Sequence, residues 1–215
     1  MEVSVSILSS DKRLEYVNCL NHTNCSYIHV DVMDGKFVKD KQFSYNEIRA
    51  INYVSNKKLD VHLMVKNPWI YINNLRGYNI EYITFHLESG KDVSKTVNKI
   101  HKMGYKAGLA ISPGTDIKEI DNYLSFIDMV LIMSVEPGYG GQKFLNSTID
   151  RVNYVKEQLE KKDCKVLVEV DGGINDETVG LLSNVDIAVV GSYILKNGNN
   201  YFDYRRIIDG IISSI

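Results

Sequence analysis

Four residues in this chain have the types and spacing to hold a divalent metal ion: His29, Asp31, His62 and Asp171. His29 and Asp31 stand two apart in the run Tyr27–Val32, which reads as a β-strand. Residues two apart on a strand project to the same face. His62 lies in another apolar run and Asp171 closes a third. Two imidazoles and two carboxylates suit iron, zinc, manganese or cobalt, and mixed nitrogen and oxygen ligation does not choose among them. A lone histidine at a strand end is more often a hydrogen-bonded core residue. The conjunction of four such groups carries the metal reading.

A second set is built of glycine. Gly138-Tyr139-Gly140-Gly141, Gly172-Gly173 and Gly191-Ser192 each follow an apolar run near the end of the chain. Glycine lets backbone N–H groups approach an anion closely, and such loops in barrel enzymes bind phosphate. One glycine pair alone would be read as a tight turn. Three side by side favour a phosphate site.

These groups need a scaffold that brings distant segments together. Eight apolar runs read as strands: Val3–Leu8, Tyr27–Val32, Leu59–Val65, Tyr82–Leu87, Ala107–Ile111, Met129–Val135, Val166–Val170 and Ile187–Val190. Several are nearly continuous in Val, Ile and Leu, as in parallel strands buried on both faces. Between them, Val93–Met103, Ile149–Lys161, Asp176–Leu182 and Tyr204–Ile212 carry apolar residues at helical spacing. Eightfold alternation predicts an α/β fold, a single-domain (β/α)8 TIM barrel over residues 1–215. An open doubly wound sheet is the alternative. In a barrel the strand ends share one mouth, which would collect Ser6, His29, Asp31, His86, Ser134, Asp171 and Ser192. His86 reads as a strand-end histidine bonded to backbone, with support of a metal ligand as the rival reading.

Composition narrows the partners. The chain has 215 residues, 44% hydrophobic and 24% charged, with a formal net charge of −2. No basic excess points to nucleic acid or an anionic membrane. No apolar run approaches the ~20 residues that span a bilayer. The start MEVSVSILSSDKRL lacks a secretory pattern, so a cytoplasmic address is the default. Three cysteines make no disulfide framework. Cys19, His22 and Cys25 form a C-x-x-H-x-x-C run, but a fourth zinc ligand is not visible nearby. Oligomeric state stays open, a homo-oligomer included.

The segments SILSSD, HVDVMDGKFV, LDVHLMV, GLAISPGT, MSVEPGYGGQKF, VEVDGG and VVGS closely resemble ribulose-phosphate 3-epimerases. The likeness runs from Ser6 to Ser192, and HVDVMDG and SVEPGYGGQKF are its most specific parts. It implies a barrel that interconverts D-ribulose 5-phosphate and D-xylulose 5-phosphate at carbon 3 in the pentose phosphate pathway, through an enediolate. By motif match, His29, Asp31, His62 and Asp171 are the metal ligands, and Asp31 and Asp171 the paired acid and base. The resemblance places Ser6, His62, Asp171, Gly138, Tyr139, Gly140, Gly141, Gly172, Gly173, Gly191 and Ser192 at the substrate. It places Met33, Met64 and Met133 around the intermediate, where plain core packing is the competing reading.

One segment departs from the family pattern. A Pro-Asn pair usually follows the FV of HVDVMDGxFV, whereas this chain has Lys39-Asp40. The departure bears on sugar length, since D-allulose 6-phosphate 3-epimerases share much of the motif set. Two further readings stand beside these. A phosphosugar aldolase or decarboxylase would place a lysine where this chain has His29 and His62. A sugar-phosphate sensor would keep the fold without turnover.

Overall fold

The computed structural model describes residues 1–214; Ile215, the last residue of the expected domain, lies outside them. In chain order the elements are β1 (Glu2–Ser6), α1 (Arg13–Leu20), β2 (Tyr27–Asp34), β3 (Lys41–Gln42), α2 (Tyr45–Val54), β4 (Lys58–Met64), α3 (Pro68–Asn73), β5 (Ile80–His86), α4 (Val93–Lys102), β6 (Lys106–Ile111), β7 (Met129–Met133), α5 (Ser147–Lys161), β8 (Leu167–Asp171), β9 (Ile187–Val190), α6 (Ser192–Asn197) and α7 (Tyr201–Ser213). Eight parallel strands pair in the order β1-β9-β8-β7-β6-β5-β4-β2, and β1 pairs with β2 to close the ring. This is the (β/α)8 barrel that the alternation predicts. The two-residue β3 is an addition, running antiparallel to Met33 and Asp34 at the end of β2.

Strand periodicity sorts side chains between two cores. Val3, Val5, Ile28, Val30, Leu59, Val61, Leu63, Val168 and Val170 are fully buried between barrel and helices, in one continuous cluster. The alternate residues point inward. At the bottom of the barrel Tyr82, Met129 and Ile187 pack together. Near the top Ala110, Leu131, Met133 and Val135 form a patch of their own. Between them the interior is polar: Ser4, His29, Asp60, His62, Thr84 and Glu169 are all fully buried. Buried polar groups cost stability unless they are partnered, so this band marks the functional centre.

The helices are fixed by local chemistry. Ser44 and Glu47 form a capping box at the start of α2. Asp92 caps α4, and Asn200 caps α7 through two backbone N–H groups. The helix expected at Asp176–Leu182 is a correction: only Val179–Leu181 is helical there, as a 3-10 helix. Asn175 Oδ1 accepts from the N–H groups of Glu177 and Thr178. That side chain holds the backbone in a turn that competes with an α-helix. Between β6 and β7 the chain forms another 3-10 helix, Ile117–Asn122.

Candidate metal centre and active site

Register brings the expected ligands together. Asp31 on β2 sits beside His62 on β4, and His29 sits beside Asp60 one pleat lower. Asp171 ends β8, three strands away round the ring through β9 and β1. His29, Asp31, His62 and Asp171 each direct one ligating atom to a common point, all within 4.8 Å of one another. His29 Nε2 and His62 Nδ1 are each 3.2 Å from Asp31 Oδ1. They lie 3.9 Å and 3.7 Å from Asp171 Oδ2. Four ligands bound at about 2.0–2.2 Å in a tetrahedron stand roughly 3.4 Å apart, so the spacing fits an ion. His29 Nε2 is buried with no hydrogen-bond partner, a cost that a bound cation removes.

What lies behind each ligand decides which atom it presents. His29 Nδ1 is 2.6 Å from Asp60 Oδ2, to which it donates, leaving the Nε2 lone pair for the centre. Asp60 Oδ2 also accepts from Ser4 Oγ at 2.8 Å. His62 is arranged the other way. Its Nδ1 faces the centre, and its Nε2 is 2.9 Å from His86 Nε2. His86 Nδ1 is in turn 3.1 Å from Glu88 Oε2. With Nδ1 of His62 left bare, protons run in one direction: His62 Nε2–H to His86, and His86 Nδ1–H to Glu88. Glu88 Oε1 is anchored by Ser112 N–H at 2.7 Å and Thr115 Oγ at 2.6 Å. Phe37 packs on the His86 ring at 4.7 Å. Ser6 Oγ donates to Asp31 Oδ2 at 2.7 Å, which turns Asp31 Oδ1 inward.

The charges are set by the same contacts. Burial pushes the Asp31 carboxyl up, but His29 and His62 outweigh it and hold the group well below the usual carboxylate range. Burial and then the charge of Asp31 push Asp171 up to about 7. Burial, with His62 adding to it, takes His86 down to about 4 against Glu88, so His86 is a neutral imidazole at pH 7. Burial and Asp60 hold Glu169 well above the carboxylate range. His29, Asp60 and Glu169 form a second close cluster beneath the first. It is fully buried and engages His29 through the nitrogen turned away from the centre, so it orients that ring.

Above the ligands lies a cavity of about 200 Å³. Its wall contains Ser6, Asp31, Asp171, Met33, Met64, Met133, Gly138, Tyr139, Gly140, Gly141, Gly172, Gly173, Gly191 and Ser192. The three methionines, each 2% exposed, are therefore wall residues and not filling for the outer core. His62 is fully buried and absent from the wall, so its contact is with the metal position. Gly173 shows why these loops need glycine. It has φ +64°, and a Cβ there would sit 2.5 Å from Phe144 N and 2.9 Å from Gln142 O.

Phe37 and Val38 reach the mouth, where Val38 packs on Gly138. Lys39 and Asp40 are exposed and off the cavity wall, so the departure from the family pattern leaves the wall untouched. His86 is not a backbone-bonded bystander; it buttresses His62. Cys19, Cys25 and Cys164 are free, and Cys25 Sγ points at Leu20 O. His22 packs edge-on against Tyr201. Ser134 serves the backbone, bonding the carbonyls of Asp171 and Gly172. Glu88, Asp60 and Glu169 were not singled out in the sequence. Two of them stand two residues before His62 and Asp171, so the D-x-H and E-x-D spacing was the available signal.

A parallel barrel with a two-histidine, two-carboxylate centre at its mouth and glycine loops beside it defines a metal-dependent enzyme of phosphorylated substrates. The comparisons name the family. Residues 2–195 match the ribulose-phosphate 3 epimerase family, and the chain belongs to it. It is 35% identical to the ribulose-phosphate 3-epimerase of Helicobacter pylori strain J99 over 218 aligned positions, covering 98% of this chain and 96% of that one. It is 36% identical to that of Chlamydia pneumoniae, covering 82% and 79%. Among solved structures, 3-hexulose-6-phosphate synthase from Salmonella typhimurium superposes with a TM-score of 0.69 at 16% identity, over 100% of both chains. That likeness is one of fold. Among the described residues no helix is long and apolar enough to cross a membrane.

Proposed function

We propose that this chain interconverts D-ribulose 5-phosphate and D-xylulose 5-phosphate by moving the proton on carbon 3, with Asp31 and Asp171 as the acid/base pair. The observation that carries it is the placement of both carboxylates on the wall of one cavity, from strands three apart in the ring. Epimerisation beside a ketone removes a proton from one face and returns one to the other. Two groups on different sides of the substrate meet that need. Asp31, whose outer oxygen accepts from Ser6 Oγ, is placed to remove the proton. Asp171, across the cavity on β8, is placed to deliver the proton, and the roles exchange in the reverse direction. His29, Asp31, His62 and Asp171 would hold a divalent ion, which would supply Lewis acidity for the charge that grows on the substrate oxygens. Met33, Met64 and Met133 keep water from the reacting face, and Ser6 holds Asp31 in position. The loops at Gly138–Gly141, Gly172-Gly173 and Gly191-Ser192 bind the phosphate through backbone N–H groups.

The reading includes one catalytic domain over residues 1–215 and, with three free thiols, a cytoplasmic address. The test is solvent-deuterium incorporation at carbon 3, followed by NMR with D-ribulose 5-phosphate and D-allulose 6-phosphate in parallel. Chelated protein is compared with protein restored with iron, manganese, zinc or cobalt. Metal-dependent exchange with formation of D-xylulose 5-phosphate is expected. Preference for the hexulose would move the substrate while keeping the chemistry. Absence of exchange with either sugar under every metal would overturn the epimerase reading.

A further inference from the structure

The glycine end of the cavity carries one charged side chain that backbone binding of phosphate leaves unused. Lys196 lies on α6 four residues after Ser192, hence on the same helix face, and lines the cavity wall. A Cβ placed on Gly141 would be 3.7 Å from Lys196 Nζ and 3.7 Å from Ser192 Oγ. One placed on Gly140 would be 3.1 Å from Ser192 Oγ and 2.6 Å from Ser9 Oγ. The hydroxyls of Ser9 and Ser192 are 3.1 Å apart. An ammonium and two hydroxyls therefore converge on the stretch of backbone that glycine leaves bare.

Electrostatics single Lys196 out. The wall contains the carboxylates of Asp31, Glu136 and Asp171, and Lys196 is its one basic residue among those described. Lys156 and Lys161 are engaged by Asp186 and Glu157. Among the described residues no ion pair or hydrogen bond engages Lys196 Nζ. The chain's net charge of −2 provides no general attraction for an anion. A dianionic group entering this mouth thus meets one complementary side-chain charge, placed beside the loop that presents the backbone donors.

We propose that Lys196 is a substrate-binding residue whose ammonium pairs with the phosphate of the ketose, with Ser9 and Ser192 completing the cradle. The inference rests on the phosphosugar reading above and assigns that specificity to a side chain. Its function is to favour phosphorylated over neutral ketoses at the binding step. Arginine could supply the same charge at this exposed position, whereas methionine would keep the stem and lose the charge.

The test uses zinc-loaded full-length protein and inorganic phosphate as the probe, titrated by phosphorus-31 NMR without turnover. KM and kcat for D-ribulose 5-phosphate are measured alongside. Lys196→Met is expected to weaken phosphate binding and raise KM by about tenfold, as for loss of one charge-assisted contact partly screened by water. kcat should change far less than KM, and Lys196→Arg should recover most of the loss. Lys143→Met, exposed on the neighbouring loop but off the wall, should leave both constants unchanged. Unchanged phosphate affinity in Lys196→Met would overturn the proposal, as would an equal loss in Lys143→Met. Phosphate binding is read independently of catalysis. A protein that holds phosphate through Lys196 yet does not epimerise would break the functional reading and leave this one standing.

Discussion

The two ends of the cavity are made of different material. At the metal end the donors are side chains on strands β2, β4 and β8, buried or nearly so, and His29, Asp31 and His62 are braced from behind by Asp60, Ser6 and His86. At the glycine end the wall is loop backbone with the side chains of Ser9, Ser192 and Lys196 beside it, and Tyr139 there is 62% exposed. The difference follows from the two ligands. A small cation needs a few donor atoms fixed within tenths of an ångström, which rigid strands and second hydrogen bonds supply. A phosphate presents several oxygens over a wider surface, and a ring of N–H groups accommodates it without any one being decisive.

Substitutions should expose this contrast. The largest effect belongs to the carboxylates. Asp31→Asn or Asp171→Asn should lower kcat by about 10²–10⁴-fold, checked by steady-state kinetics with saturating metal. Near-normal turnover in either would remove that residue from the acid/base pair. Next come the braces. Asp60→Asn and Glu88→Gln should each weaken metal affinity by about 10–100-fold, measured by competition with a chelator. Equal metal affinity in both variants would mean that the strands alone suffice. At the other end Gly173→Ala forces a side chain against the Phe144 backbone at positive φ. It should cost about 1–3 kcal/mol in denaturant unfolding while sparing metal affinity. The smallest effect is expected for Met33→Ala, a drop of a few-fold in kcat as water reaches the wall; unchanged turnover would return Met33 to mere packing.

Much of this was legible in the sequence because parallel strands and their ends are written plainly. All eight barrel strands were found, with bounds moved by a residue or two. The four candidate ligands stood in or at the end of strands, where barrel geometry makes distant residues neighbours. The braces were harder to see. Asp60 and Glu169 are ordinary acidic residues until register places them on the inward face one pleat below the ligands. His86 gave a signal, but its meaning depended on the separation between two rings on adjacent strands. The Asp176–Leu182 helix failed for a local reason, since Asn175 captures backbone N–H groups that an apolar pattern does not reveal. Lys196 escaped notice because a lysine on a short helix reads as surface until the helix is seen to end at the cavity.

The orphaned His29 Nε2 has a further consequence, for the life of the folded chain rather than for its reaction. Without an ion, the barrel encloses a nitrogen with no partner and two carboxylates close together. Anything that binds the folded chain and not the unfolded one adds RT ln(1 + [L]/Kd) to its stability. The thermal midpoint of this protein should therefore climb with free divalent metal, and its resistance to proteolysis with it. Cells starved of metal would then hold less of the protein as well as less of its activity.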